Sequence, residues 1–201
     1  MKVVKVAVSL VAVAAMAATG FAYSGLYDVS ASSPHSSLVD WLLSTTSRAS
    51  VNRHAEGVQV PDLDDAMALA GVSDFDAMCA GCHGAPGQEP AAMGQGLNPP
   101  APDLARAATE LTPAEIFWVT KNGIKMTGMP SWGATHDDNA IWPVVAFIGR
   151  LPGLDADQYQ MMLANAQGQG HHAVAAPDSD VADPNKSELE SDPNDHSSHT
   201  H

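Results

Sequence analysis

Between Val6 and Tyr23 the chain is apolar apart from Ser9, Thr19 and Gly20, and no charge appears until Asp28. The run is close to the roughly 20 residues an α-helix needs to cross a bilayer. Lys2 and Lys5 flank its start, which places the N-terminus in the cytoplasm by the positive-inside rule. Gly20-Phe21-Ala22 ends in small residues as a signal-peptide cleavage site does, yet the run is long for a signal sequence and continues through Gly25, Leu26 and Tyr27. Residues 1–27 are read as a membrane anchor, with a cleaved signal peptide as the competing reading. Either one exports everything that follows.

Beyond this run the apolar residues recur at helical spacing. In a connector over residues 28–70, Ser37-x-x-Asp40 resembles a capping box, and Leu38, Trp41, Leu42 and Thr45 share one helix face. That helix either packs on the neighbouring domain or lies on the membrane surface, apolar side down. Pro61, Asp62, Asp64 and Asp65 close the connector. Residues 71–154 hold three more helical patterns. The first reads from Ser73 as N-cap, with Asp76 three residues on, and aligns Phe75, Met78, Cys79 and Cys82 at i, i+3, i+4, i+7. The second opens on Thr112-Pro113-Ala114-Glu115, a cap residue, a proline at the first helical position and a glutamate at the third, and stops at Gly123. The third begins near Asp137 or Asp138, carries Ile141, Val144, Val145, Phe147 and Ile148, and passes through Pro143 with a small kink expected there. No segment alternates over four to eight residues, so the predicted fold class is all-α.

Charge adds a fourth region. The formal net charge is -14, which leaves no nucleic-acid partner expected. From His171 onward the acids Asp178, Asp180, Asp183, Glu188, Glu190, Asp192 and Asp195 stand against Lys186 alone, with His171, His172, His196, His199 and His201 among them. Residues 155–201 are read as an acidic, His-rich, largely disordered tail, whose histidines are incidental or bind a transition metal.

The chain has only two cysteines, and both lie in Cys79-Ala80-Gly81-Cys82-His83. A pair at this spacing serves as a redox dithiol, as half of a zinc site or as a haem attachment point. Structural zinc requires four protein ligands, and no second cysteine pair follows. A thioredoxin-like dithiol requires alternating strands and helices, which this region lacks. Haem attachment alone needs the adjacent histidine. Cysteines three apart share a helix face, so both thiols reach one porphyrin while the next residue reaches the iron. A covalent haem would also supply apolar mass to a domain of some 80 residues whose own core is marginal.

A second axial ligand is expected from the glycine-rich loop Asn122-Gly123-Ile124-Lys125-Met126-Thr127-Gly128-Met129-Pro130-Ser131-Trp132. A thioether opposite histidine stabilises ferrous haem. Met129 is favoured because Pro130 stiffens the backbone that presents it and Gly128 permits close approach. Met126, expected to pack over the haem edge, and His136 remain alternatives.

CAGCH, the loop Asn98-Pro99-Pro100-Ala101-Pro102-Asp103-Leu104, and GIKMTGMPSWG followed by IWPVVAFIGRLP together resemble a class I monohaem cytochrome c of the membrane-anchored bacterial type. The resemblance spans Gly71 to Leu154. It implies a small all-α fold around one haem c, with thioethers from Cys79 and Cys82, His83 as proximal ligand and Met129 as distal ligand. A carbonyl of the Pro99-Pro100 segment would accept the other imidazole proton, Leu104 and Trp132 would line the pocket, and Phe75 would contact Trp142. It further implies an electron carrier rather than an enzyme, with no small-molecule substrate, on the periplasmic side of the bacterial inner membrane. Expected partners are a terminal oxidase, a quinol-oxidising complex or a dehydrogenase. A haem sensor or peroxidase-like enzyme with a labile distal ligand is the alternative.

Overall fold

The computed structural model describes residues 1–166. The disorder and metal binding expected of the His-rich tail fall on later residues, outside those described. Among the described residues there are α-helices and no strands: α1 (Lys2–Tyr23), α2 (Ser37–Ala55), α3 (Asp65–Met78), α4 (Ala80–His83), α5 (Ala92–Gln95), α6 (Leu104–Glu110), α7 (Pro113–Asn122), α8 (Asp138–Ile148) and α9 (Ala156–Asn165). A 3-10 turn spans Trp132–Ala134. The all-α expectation holds.

Helix α1 is long and apolar enough to cross a membrane, a property that a signal sequence near an N-terminus shares. None of its residues is buried. Helix α2 begins one residue earlier in role than the sequence suggested. Ser36 is its N-cap and Ser37 its first residue, and no side chain closes the cap. Val51 and Ala55 bury its second half, where His54 stacks on Trp118 of α7 with ring centroids 5.2 Å apart.

Helix α3 starts eight residues before the expected Ser73. The Asp64 carboxylate accepts from Met67 N and caps it, and Ala66 to Ala70 is a run of good helix formers that carries the helix on from there. Ser73 is therefore interior, and its Oγ donates to the Ala166 carbonyl instead. Helix α8 packs along α3 through Ile141, Val144, Val145, Phe147 and Ile148, all buried. A Cβ built on Gly71 would lie 2.0 Å from the Pro143 carbonyl oxygen, so the two backbones touch at this point. Phe75 meets Phe147 at 4.9 Å, not Trp142 as expected. Trp142 lies flat on Phe117 of α7, with centroids 4.0 Å apart and planes 9° apart, because its five-residue separation from Phe147 sets it on a different face of α8.

Helices α7 and α8 otherwise follow their sequence signals. Thr112 and Glu115 form the reciprocal capping box and Gly123 ends α7, while Asp137 caps α8 through Ala140 N. The segment after Leu154, assigned by composition to the tail, begins with α9. Asp155 and Gln158 form a capping box for it, and Tyr159 and Ala166 are wholly buried against α3 and α8. The Tyr159 hydroxyl donates to Asp76 Oδ1 at 2.5 Å.

Candidate functional site

The pair of cysteines sits where α3 hands over to α4. Cys79 ends α3 and starts α4, and its carbonyl accepts from Cys82 N at 3.1 Å and His83 N at 3.0 Å. One tight turn thus carries both thiols and the imidazole. Cys79 is buried and Cys82 half-buried. Burial first, then the neighbouring Cys82 and Asp74 charges, push the Cys79 thiol up to about 12.

His83 Nδ1 lies 2.8 Å from the Pro102 carbonyl oxygen. A carbonyl only accepts, so Nδ1 carries the proton and the lone pair is on Nε2. This corrects the expectation of a Pro99-Pro100 carbonyl: Pro100 is exposed, and the chain has turned by Pro102 toward α6. Asp103 accepts from Ala105 N and Arg106 N to start α6, and that cap fixes the Pro102 carbonyl beside it. Leu104, the first residue of α6, packs against the core. It also joins His83, Phe75, Ala101, Leu151 and Leu154 in the wall of a cavity of about 400 Å³. That cavity includes neither Cys82, Met129 nor Trp132, so it borders the site from the imidazole side and is not the whole of it.

The loop with the two methionines is pinned at one of them. Met129 N accepts nothing; it donates to Thr127 Oγ1 at 3.1 Å, and the Met129 carbonyl accepts from Ile124 N at 3.2 Å. Gly123 at φ 67° lets α7 end in a backbone geometry other side chains avoid, and a Cβ there would meet the Met129 carbonyl at 2.7 Å. Ser131 Oγ ties the far end to the Lys121 carbonyl at 2.9 Å. Met129 is half-buried. Met126 is 96% exposed and stands at a positive φ of 61°. Trp132 is half-buried in the 3-10 turn, with its ring edge-on to His136 at 5.5 Å. His136 Nδ1 lies 2.7 Å from Thr135 Oγ1.

Sequence reasoning missed the residues that hold the attachment turn from outside. Ala91 N donates to the Gly81 carbonyl at 3.0 Å, and a Cβ on Gly94 of α5 would stand 2.7 Å from that same oxygen and 2.8 Å from Cys82 Cα. Helix α5 therefore lies directly on the backbone of the CAGCH turn, where only glycine fits. Leu97 similarly covers Gly128 beside Met129, at 2.5 Å from a built Cβ. Nothing in one sequence distinguishes these glycines from flexible ones, although Asp103 after Pro102 is a readable cap signal.

Residues 66–148 match the family described as cytochrome C oxidase, cbb3-type, subunit III. The helical unit around CAGCH is thus similar to the cytochrome c domain of that family over these residues. No curated protein matches the chain, and no solved structure does. The donor set fits the haem this family implies: two thiols on one turn, an imidazole with its outer nitrogen already bonded to backbone, and a thioether on a pinned loop. Among the described residues no group of three or more His, Cys, Asp or Glu side chains is placed to hold a metal, so a zinc site has no ligand set there. This likeness supports haem-based electron transfer as the chemistry of the matched segment. Its matched segment stops before α9, although the buried Tyr159 makes α9 part of the same core.

Proposed function

We propose that the protein is a membrane-tethered one-electron carrier holding a single haem c through thioethers to Cys79 and Cys82, with His83 and Met129 as axial ligands. The observation that carries this reading is the bond between His83 Nδ1 and the Pro102 carbonyl. It sets the tautomer and aims Nε2 outward as a ligand, as backbone partners do for metal-binding histidines. A haem bound there supplies a one-electron ferric–ferrous couple. The chain's own contribution is positional and electronic. Thr127 and Ile124 hold the Met129 backbone, and a thioether opposite imidazole favours the ferrous form and a high potential. With both axial places taken by side chains, no small-molecule substrate binds in this reading.

The apolar α1 supports an uncleaved anchor, and Lys2 and Lys5 support an orientation that leaves the haem domain on the periplasmic side of a bacterial inner membrane. Tethering raises the effective concentration of a carrier near membrane complexes. The matched family's description as an oxidase subunit supports a terminal oxidase as acceptor, with a quinol-oxidising complex or a dehydrogenase as donor. Adding carbon monoxide to the reduced protein tests the ligation. The Soret band of the unaltered protein and of Met126→Ala should not move, whereas Met129→Ala should bind the gas and show a markedly lower potential. Binding by the unaltered protein would instead favour a sensor or peroxidase-like role.

A further inference from the structure

Helix α2 changes its surroundings halfway along. Its second half packs on α7 through Val51 and Ala55. Its first half presents Leu38, Trp41 and Leu42 at 72%, 61% and 55% exposure, with Thr45 completing the stripe. Leu42 and Val51 are nine residues apart, about two and a half turns at 3.6 residues per turn, which puts them on opposite faces. The helix thus lies on the domain with one face and turns an apolar stripe away from it. Asp40 is the only charge between Ser37 and Ser47.

We infer that this stripe lies in the polar–apolar boundary of the same bilayer that α1 enters, rather than against another protein. The inference rests on the reading of α1 as a retained span. Three observations favour lipid. First, apolar residues lead out of α1 toward the stripe: Tyr23, Leu26, Tyr27 and Val29 are all exposed, and tyrosine and tryptophan are the residue types that collect at membrane interfaces. Second, the chain between them is short and folded. Even fully extended, the residues from Tyr23 to Ser37 reach roughly 50 Å, and turns shorten this path. Leu26 N donates to Ser24 Oγ, Ser30 N and Ser33 Oγ donate to Asp28, and Tyr27 Oη pairs with His35 Nδ1. Third, the exposed apolar side chains of α2, namely Leu38, Trp41, Leu42 and the flanking Leu43, fall short of the roughly 800 Å² that each partner buries in a stable protein complex. An interfacial helix needs only an apolar face sunk about 5–10 Å into the headgroup boundary.

The connector also bonds to the haem domain. Asn98 Nδ2 donates to the Ser33 carbonyl at 2.8 Å, next to Leu97, which covers Gly128 in the methionine loop. A bilayer gripping α2 would therefore set the height and tilt of the haem pocket, not merely its distance from the membrane.

The test is depth measurement on the full-length holoprotein in vesicles of phosphatidylethanolamine and phosphatidylglycerol. Single nitroxide labels go on Val11→Cys in α1, Leu42→Cys on the stripe and Glu56→Cys at the end of α2, with an unchanged haem spectrum as the check on folding. Collision with dissolved oxygen reports lipid, and collision with a water-soluble nickel chelate reports water. The expected result is strong oxygen access and weak nickel access at Val11, the same preference at shallower depth at Leu42, and nickel access at Glu56. Water access at Leu42 with lipid access at Val11 would overturn the inference and leave the anchor standing. Protection of Leu42 from both reagents would also overturn it, since a protein then covers the stripe. Loss of the Val11 label with a cleaved N-terminus would remove the anchor and the inference together.

Discussion

Replacing Gly71 by alanine adds one methyl group at the closest approach of α3 and α8. The new Cβ would stand 2.0 Å from the Pro143 oxygen, 2.2 Å from the Pro143 carbonyl carbon and 2.7 Å from Val144 N. All three are backbone atoms of a helix interior, so no side chain can swing aside. Ordinary contact begins at 3.4 Å, and the helices must part by more than an ångström to reach it. That movement loosens Val72, Phe75, Val144 and Phe147, all wholly buried. Overpacking a core costs about 1–3 kcal/mol and occasionally more; against rigid backbone the upper end, about 3 kcal/mol, is expected. In a domain of this size each kcal/mol lowers Tm by about 4–8 °C, so the melting point should fall by about 12–24 °C. Far-ultraviolet circular dichroism of the purified holoproteins measures it, with Gly57→Ala as control because a Cβ there meets nothing within 4 Å. A Gly71→Ala protein melting within about 2 °C of the unaltered one, a difference of well under 1 kcal/mol, would refute the close crossing of these helices.

Other outcomes follow from features already described. Burial, then its hydrogen bond to Asp76, raises the Tyr159 phenol above its ordinary 10.0. The neutral form is therefore favoured in the fold, and its stabilisation is complete below pH 10 and lost as pH rises beyond it. Tyr159→Phe should lower stability at neutral pH by about 1–3 kcal/mol and flatten the decline above pH 10 in denaturant titrations; an unchanged alkaline slope would argue against the buried phenol. Gly94→Ala should press on Cys82 and the Gly81 carbonyl, reducing the yield of covalent haem on stained denaturing gels, and full yield with unchanged stability would contradict the seating of α5. If α1 is retained, the protein should stay in the membrane fraction through high-salt and carbonate washes, whereas release with a new N-terminus near Tyr23 would identify a signal peptide.

The parts of this molecule legible in its sequence are those determined locally. Thr112 to Glu115, Gly123 and Asp137 fix helix ends by contacts within four residues, and Cys79, Cys82 and His83 share one turn. The parts that were misread depend on distant chain. Ser73 has the same spacing to an acid as a true cap, but a cap requires that the chain before it leave the helix, and Asp65 to Val72 does not. The haem-side carbonyl was sought among neighbouring prolines, and only the cap at Asp103 selects Pro102. Helix α9 was hidden by the acidic composition that follows it, although Asp155 and Gln158 carried a local signal. Its anchoring residue, Tyr159, is committed to the core by Asp76, 83 positions away. Gly71 and Gly94 are ordinary glycines until the opposing backbone is placed.

The clasp of α9 on α3 also fixes how large a piece of the chain opens at once. Tyr159 bonds to Asp76 and Ser73 bonds to the Ala166 carbonyl, so α9 cannot lift without exposing the α3 face beneath it. Amide hydrogens in α9 should then exchange at rates close to those of α3 and α8, as members of one cooperative unit, while those in α6, where no residue is buried, exchange faster. A protease cutting near the C-terminal side should spare Ala156 to Asn165 until the whole domain unfolds, leaving a core that is longer than the segment the family match covers.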